Sequence, residues 1–241
     1  MSASPARFSA VVPALDEETA IGAVVSGLLA QEADEVIVVD GGSRDATAAR
    51  ARAAGARVVT EPRRGYGLAV QAGIAAVRPG ARILLFVDGD GSDRLACVPD
   101  LVGPIARGEA AFVHGSRLLG PREPGALGMP QIVAGRLAGI LIRITYGVRF
   151  TDMSPFRAIR RDTLDRLGMR EESYGWNLEM LMRVAAARVP CREIAAGQRA
   201  RRGGASKVSG NLRASLRAAW VIARTFVALA RTLARRERSV S

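Results

Sequence analysis

Ile83-Leu84-Leu85-Phe86-Val87-Asp88-Gly89-Asp90-Gly91-Ser92 joins an uninterrupted apolar run to two aspartates spaced two apart. Five large apolar residues in a row, without polar alternation, read as a strand buried on both faces, the habit of a parallel sheet covered by helices. A chain leaving such a strand places its first polar residues beyond the carboxyl end of the sheet, where open α/β sheets bind ligands. Aspartates at i and i+2 can turn to one side there, and Gly89 and Gly91 leave the backbone open to a closely approaching diphosphate. Carboxylate pairs of this kind hold hard divalent cations such as Mg2+ or Mn2+, with substrate phosphates filling other positions. A D-x-D alone is common; the buried strand in front of it gives this one weight.

The same rhythm extends outward. Apolar runs at 8–12, 36–39 and 57–60 alternate with helical patterns at 18–30, 44–54 and 68–77, which predicts an α/β fold with a mostly parallel central sheet and helices on both faces. Downstream, the patterns predict a helix over 98–107, a strand over 111–115, a Gly- and Pro-rich loop over 117–131, and a helix over 132–146. A strand at 156–160, helices at 162–167 and 178–187, a strand at 192–196 and a loop at 199–210 follow. Two further strand ends are polar: Pro13-Ala14-Leu15-Asp16-Glu17-Glu18 and Asp40-Gly41-Gly42-Ser43. Asp40 directly ends a buried run, whereas Ser43 and Asp45 read equally well as helix N-caps.

At 241 residues and 49% apolar content, the chain suffices for one large domain with an appendage. Two cysteines without metal-type spacing and a single histidine argue against a disulfide framework and a His-rich metal site. Neither a signal peptide nor an uncharged apolar stretch of spanning length is evident. The net charge of +12 is concentrated at one end: residues 192–241 hold 12 basic and 2 acidic residues. Such a region seeks phosphates, whether on lipid head groups, nucleic acid or a substrate. The only lysine is Lys207.

Residues 211–241 read as a basic amphipathic helix appended to a catalytic domain of residues 1–210. Arg217, Arg224 and Arg231 recur every seven residues, with Trp220 and Phe226 expected on the opposite, apolar side. A helix of this kind suits an anionic membrane surface, and the alternative is packing on the domain or in a dimer interface.

Taken together, the motifs resemble glycosyltransferase family 2, in particular its branch of dolichyl- and polyprenyl-phosphate sugar synthases. Pro13 to Glu18 follows that family's P-A-x-N-E-E opening, with Asp16 for Asn, and Asp40 to Thr47 follows D-D/G-G-S-x-D-x-T. Gly65-Tyr66-Gly67-Leu68-Ala69 matches G-x-G-x-A, Asp88 and Asp90 match D-x-D, and Gly115 to Arg117 matches G-S-R. Asp152 to Ala158 matches D-x-x-x-x-F-R-A, and Arg202 to Lys207 resembles R-x-G-x-S-K with one extra residue before Ser206.

The resemblance implies a GT-A-type nucleotide-sugar-binding fold. It implies a metal-dependent hexosyltransferase that takes sugar from a UDP- or GDP-sugar, inverting the anomeric carbon, with a polyprenyl phosphate as acceptor. Asp40 would contact the nucleoside, Pro13, Leu15 and Glu17 would line its pocket, and Gly65 and Gly89 would lie along the donor. Asp88 and Asp90 would hold the metal. Arg117 and Asp90 would serve catalysis, and Asp152, Arg202, Ser206 and Lys207 would bind acceptor or phosphate. A hydroxyl acceptor would need a general base, for which Glu179 is first candidate and Asp152 second; Glu179 reads equally well as a first-turn glutamate on a helix dipole. A bacterial enzyme is expected, peripheral on the cytoplasmic face of the cell membrane, with room for a homo-oligomer. The alternatives are a soluble transferase with a small hydroxyl or phosphate acceptor, and a nucleotidyltransferase. No nucleic-acid motif supports the third class that the basic charge suggests, a nucleic-acid-binding module.

Overall fold

A computed structural model describes residues 6–201 and 212–240. Among these, seven strands make one sheet: β1 (Phe8–Ala14), β2 (Ala33–Asp40), β3 (Arg57–Thr60), β4 (Ile83–Phe86), β5 (Phe112–Ser116), β6 (Arg157–Arg160) and β7 (Cys191–Ala195). Their order is β3-β2-β1-β4-β6-β5-β7. Neighbours pair in parallel except at β6, which runs antiparallel to both β4 and β5. The continuous apolar runs explain the placement: both faces of β1, β2 and β4 are covered, and alternate residues feed two separate cores.

The helices are α1 (Ile21–Ala30), α2 (Thr47–Ala53), α3 (Tyr66–Ala76), α4 (Val98–Ala106), α5 (Met129–Tyr146), α6 (Arg161–Leu167), α7 (Trp176–Ala186) and α8 (Leu212–Val240). Val12, Val38 and Leu85 face the core built with α1, α2 and α4. Val11, Val39 and Phe86 face the other core, which is built with α3, α5, α7 and α8. Trp176, fully buried at the start of α7, meets Phe86 edge to face at 5.2 Å. That contact fixes α7 against the strand leading into Asp88.

The structure corrects the expected ends of two helices. α5 starts at Met129, inside the stretch read as loop, because Pro130 sits in its first turn, where a proline costs no helical hydrogen bond. α3 starts at Tyr66, because carbonyls of a distant loop satisfy its first amides. The expected orientation of the last helix is also corrected. Ile222 and Phe226 of α8 are buried, and Leu229 and Leu233 pack on the same core, so the apolar side lies on the domain. Phe226 meets Tyr146 of α5 at 6.5 Å. Trp220 instead points outward, 61% exposed, with the Arg224 guanidinium 5.4 Å from its ring centre. Residues at i and i+4 share a helix face, which is why the tryptophan joins the arginine. No described helix is long and apolar enough to cross a membrane.

After α5, Gly147 adopts a left-handed conformation (φ 76°) and turns the chain back along the helix. The return path runs so close that a Cβ at Gly139 would press on the carbonyl oxygen of Phe150, and one at Gly135 would lie 2.7 Å from Asp152 Oδ1. Gly139→Ala should therefore destabilise the fold by about 1–3 kcal/mol, read as a lowered thermal unfolding midpoint; an unchanged midpoint would contradict this packing.

Candidate active site

β1 and β2 are in register to their ends, with Ala14 opposite Asp40. On the other side of β1, the Gly89 amide donates to the Pro13 carbonyl (3.2 Å). A Cβ on Gly89 would lie 3.0 Å from Ala14 Cβ and 3.1 Å from that carbonyl. The glycine is thus spent on bringing two strand ends together, not on admitting a diphosphate as the sequence suggested. As a result, Asp40 and the Asp88–Asp90 turn flank the end of β1 on one rim of the sheet.

The loops after β1 and β2 are stitched to each other. Asp16 donates its amide to Ser43 Oγ (3.0 Å), and its Oδ1 accepts the Arg44 amide (2.8 Å). The Glu17 amide donates to Thr47 Oγ1 (2.8 Å), and the Glu18 amide to Asp45 Oδ2 (3.1 Å). Ser43 and Asp45 therefore bridge the loops rather than simply cap α2. Asp16 has φ 56°. Aspartate and asparagine both tolerate that conformation, and both offer an acceptor Oδ1. Aspartate in place of the family's asparagine thus preserves the loop. Asp40 is buried, with Oδ1 accepting the Ser43 amide at 3.2 Å, while Pro13 is half-buried and Leu15 exposed on the same rim.

Beyond β4, three aspartates crowd together. Asp88 Oδ1 accepts the Tyr66 hydroxyl (3.3 Å), and the Asp88 amide donates to Asp93 Oδ2 (3.0 Å). Asp90 is buried; its Oδ1 accepts the Ser92 amide (2.9 Å), and its Oδ2 pairs with Arg201 Nε (2.9 Å). Burial, reinforced by the charge of Asp90, pushes the Asp88 carboxyl up to about 7, against the pull of Arg201 and Arg117. Burial and the charge of Asp88 push Asp93 well above the usual carboxylate range. Burial and mutual repulsion thus disfavour the charged form of these acids, which a nearby cation would favour. Among the described residues no three His, Cys, Asp or Glu side chains form a metal cage. Two hard carboxylates are nonetheless what a Mg2+-type ion takes from a protein when water and substrate oxygens complete its shell, so Asp88 and Asp90 fit such an ion.

Arg117, at the end of β5, is locked in place. Its Nε and Nη2 reach the two Asp152 oxygens at 2.7 and 2.8 Å, and its amide donates to Oδ2 at 3.1 Å. Burial opposes the charge on Asp152, but the Arg117 fork outweighs it and holds the carboxyl at about 2. The neutral His114 ring supports the same turn through Nε2 and the Asp152 carbonyl (3.2 Å), burial having driven its pKa down to about 3. Asp152, expected from the sequence as a phosphate ligand or second-choice base, thus supports Arg117.

Two further expectations are corrected. Glu179 is buried, with Oε1 paired to Arg183 Nε (2.8 Å) and Oε2 accepting the amides of Arg170 (3.0 Å) and Glu171 (2.8 Å). It ties down the loop before α7 and has no free oxygen for proton abstraction. That loop in turn caps α3: the Gly67 amide donates to the Ser173 carbonyl (3.2 Å) and the Leu68 amide to the Glu172 carbonyl (3.1 Å). Gly65 and Gly67 lack side chains because a Cβ there would press on the carbonyl oxygens of Glu172 and Glu171, respectively, so the helix start is packed directly against that loop. Tyr66 is held over the rim by stacking on Tyr174 at 5.9 Å. Arg202, Ser206 and Lys207 lie outside the described residues. Tyr66, Asp93 and Arg201 join the site beyond the residues to which the motifs assign a role. Of these, Asp93 had a signal, a third acid within five residues of Asp88.

A folded pKa above the unfolded value means that the Asp88 contribution is fully present below about 4 and is lost as pH rises through about 7. Asp88→Asn should therefore raise the unfolding midpoint of metal-free protein at pH 8, by on the order of several degrees, with the difference shrinking toward pH 4. An equal or lower midpoint at pH 8 would contradict the crowding of charge.

Residues 9–168 match the family model described as Glycosyl transferase family 2. An uncharacterised glycosyltransferase of Mycobacterium tuberculosis is 38% identical over 209 residues, 86% of this chain and 91% of that one. A dolichyl-phosphate hexose transferase of Haloferax volcanii is 32% identical over 203 residues, 78% and 84% of the two chains. Among solved structures, glucosyl-3-phosphoglycerate synthase from Mycobacterium tuberculosis with Mn2+, UDP and phosphoglyceric acid superposes with a TM-score of 0.71 at 27% identity, covering 92% of this chain and 78% of that one. The same synthase has also been solved with Mn2+ and UDP-glucose (TM-score 0.69) and with Mg2+ and UDP (TM-score 0.68). The likeness extends to the GT-A-type α/β architecture, and the chain belongs to glycosyl transferase family 2.

Proposed function

We propose that the protein moves a hexose from a nucleoside diphosphate sugar, UDP-glucose in the first instance, to a small phosphate-bearing acid, with Mg2+ or Mn2+ held by Asp88 and Asp90. The observation that carries this reading is the cluster of Asp88, Asp90 and Asp93 at one sheet rim, with Arg117 and Arg201 as its counter-charges. A cation bound there offsets the negative charge that gathers on the leaving diphosphate. Asp40, with Pro13, Leu15 and Glu17, flanks the nucleoside on the β1–β2 side. Arg117 is held rigid by Asp152 and faces developing charge without reorganising. On sequence grounds alone, Arg202, Ser206 and Lys207 supply further phosphate contacts.

Two observations bear on the acceptor. Asp152 is engaged by Arg117, and Glu179 by Arg183 and two amides. Neither is free to take a proton from a hydroxyl, whereas an acceptor oxygen that is already anionic asks for none. The structures of glucosyl-3-phosphoglycerate synthase hold phosphoglyceric acid beside Mn2+ and UDP or UDP-glucose. On this reading the enzyme works in the cytoplasm.

A second reading keeps polyprenyl phosphate as acceptor and adds the inner face of the membrane. It is favoured by the likeness to the dolichyl-phosphate hexose transferase and by the outward Trp220 and Arg224, a pairing suited to an anionic interface. Purified protein incubated with UDP-glucose or a GDP-hexose, Mn2+, and either phosphoglycerate or detergent-dispersed polyprenyl phosphate decides between them. Labelled sugar on the small acid is expected. Transfer to the lipid alone would replace the first reading with the second, and transfer to neither would remove both acceptor assignments.

A further inference from the structure

Asp90 is buried and, among the described residues, is the one member of the acidic cluster paired with a cation through a side chain. Its carboxylate is 4% exposed; Oδ1 is taken by the Ser92 amide and Oδ2 by Arg201 Nε at 2.9 Å. The arginine is not a casual surface partner, because the segment that carries it is fastened on both sides. The Gln198 side chain donates to Ser92 Oγ (3.1 Å), and the Arg199 amide to the Ser92 carbonyl (2.8 Å). The Ala200 amide donates to Glu123 Oε2 (2.9 Å), and the Gln198 amide to the Pro121 carbonyl (3.0 Å). Gly197, at φ 68°, lets this segment pass directly against Pro121. Ser92 thus serves two neighbours at once: its amide orients Asp90, and its carbonyl and hydroxyl anchor the chain that delivers Arg201. The Arg201 side chain remains 40% exposed.

We propose that Arg201 is a resident counter-cation: it neutralises Asp90 in the empty enzyme, competes with the divalent ion for Asp90 Oδ2, and when displaced turns its fork to the donor's phosphate oxygens. This rests on the assignment of the metal to Asp88 and Asp90. The chemistry suits an exchange. A guanidinium gives the carboxylate one directed hydrogen bond with little desolvation, whereas a small dication competes for the same oxygen by charge density. Once freed, the planar fork matches two phosphate oxygens. One side chain then holds the empty site together and discourages metal occupancy until a diphosphate arrives to accept it.

The test compares wild type, Arg201→Gln and Asp90→Asn by Mn2+ binding, read by electron paramagnetic resonance of free Mn2+, without nucleotide and with UDP. Arg201→Gln should bind Mn2+ about two- to fivefold more tightly without nucleotide, the range expected for losing a part-exposed competing ion pair, and should bind UDP more weakly at saturating Mn2+. Unchanged or weaker Mn2+ affinity in Arg201→Gln would overturn the proposal while leaving the metal assignment standing. Equal Mn2+ binding by wild type and Asp90→Asn would instead remove the metal assignment, and this proposal with it.

Discussion

The structure turns on the repulsion among carboxylates gathered where β1 and β4 end. Burying three acids side by side is unfavourable, and most of the surrounding architecture either forces that closeness or offsets it. The close approach of Gly89 to Ala14 brings the acidic turn against β1. Phe86 and Trp176 fix the strand that carries it. Arg201, Arg117 and the Tyr66 hydroxyl supply partial compensation. A site that remains short of positive charge after all of these is disposed to take up a cation, and with it the oxygens of a diphosphate.

Around this cluster, other charges are engaged internally and act as scaffolding. Asp152 holds Arg117, and Glu179 with Arg183 holds the loop that closes the start of α3. Arg157 is fully buried and donates to the Ser154, Pro155 and Asn177 carbonyls. Buried charges are tolerated when hydrogen-bonded in this way, and removing one partner is costly because the other is stranded. The rigidity obtained is what a transferase requires of groups that must face developing charge without rearranging.

Much of this was legible in the sequence where the signal is local. The buried runs at 36–39 and 83–87 placed β2 and β4, and the residues after them placed Asp40, Asp88 and Asp90 on one rim, because consecutive parallel strands deliver their carboxyl ends to the same edge. What escaped depends on the path of the chain. A glycine announces a close approach but not what approaches: at Gly65 it is the Glu172 carbonyl. Glu179 and Asp152 carry the right chemistry for a base, and only the structure shows that arginines already hold them. The pairing of Arg201 with Asp90 joins two distant segments and has no periodic signature. Trp220 lies on the outward side because it is one helical turn from Arg224 and shares its face, although its apolar ring alone suggests the core side.

The account stands on one location for the cation. A crystal soaked with Mn2+ and UDP, with diffraction collected at the manganese edge, tests it most directly. An anomalous peak at roughly 2.0–2.3 Å from oxygens of both Asp88 and Asp90, a normal coordination distance for a hard cation, is the predicted result. A peak elsewhere, or none at that rim with UDP bound, would contradict it.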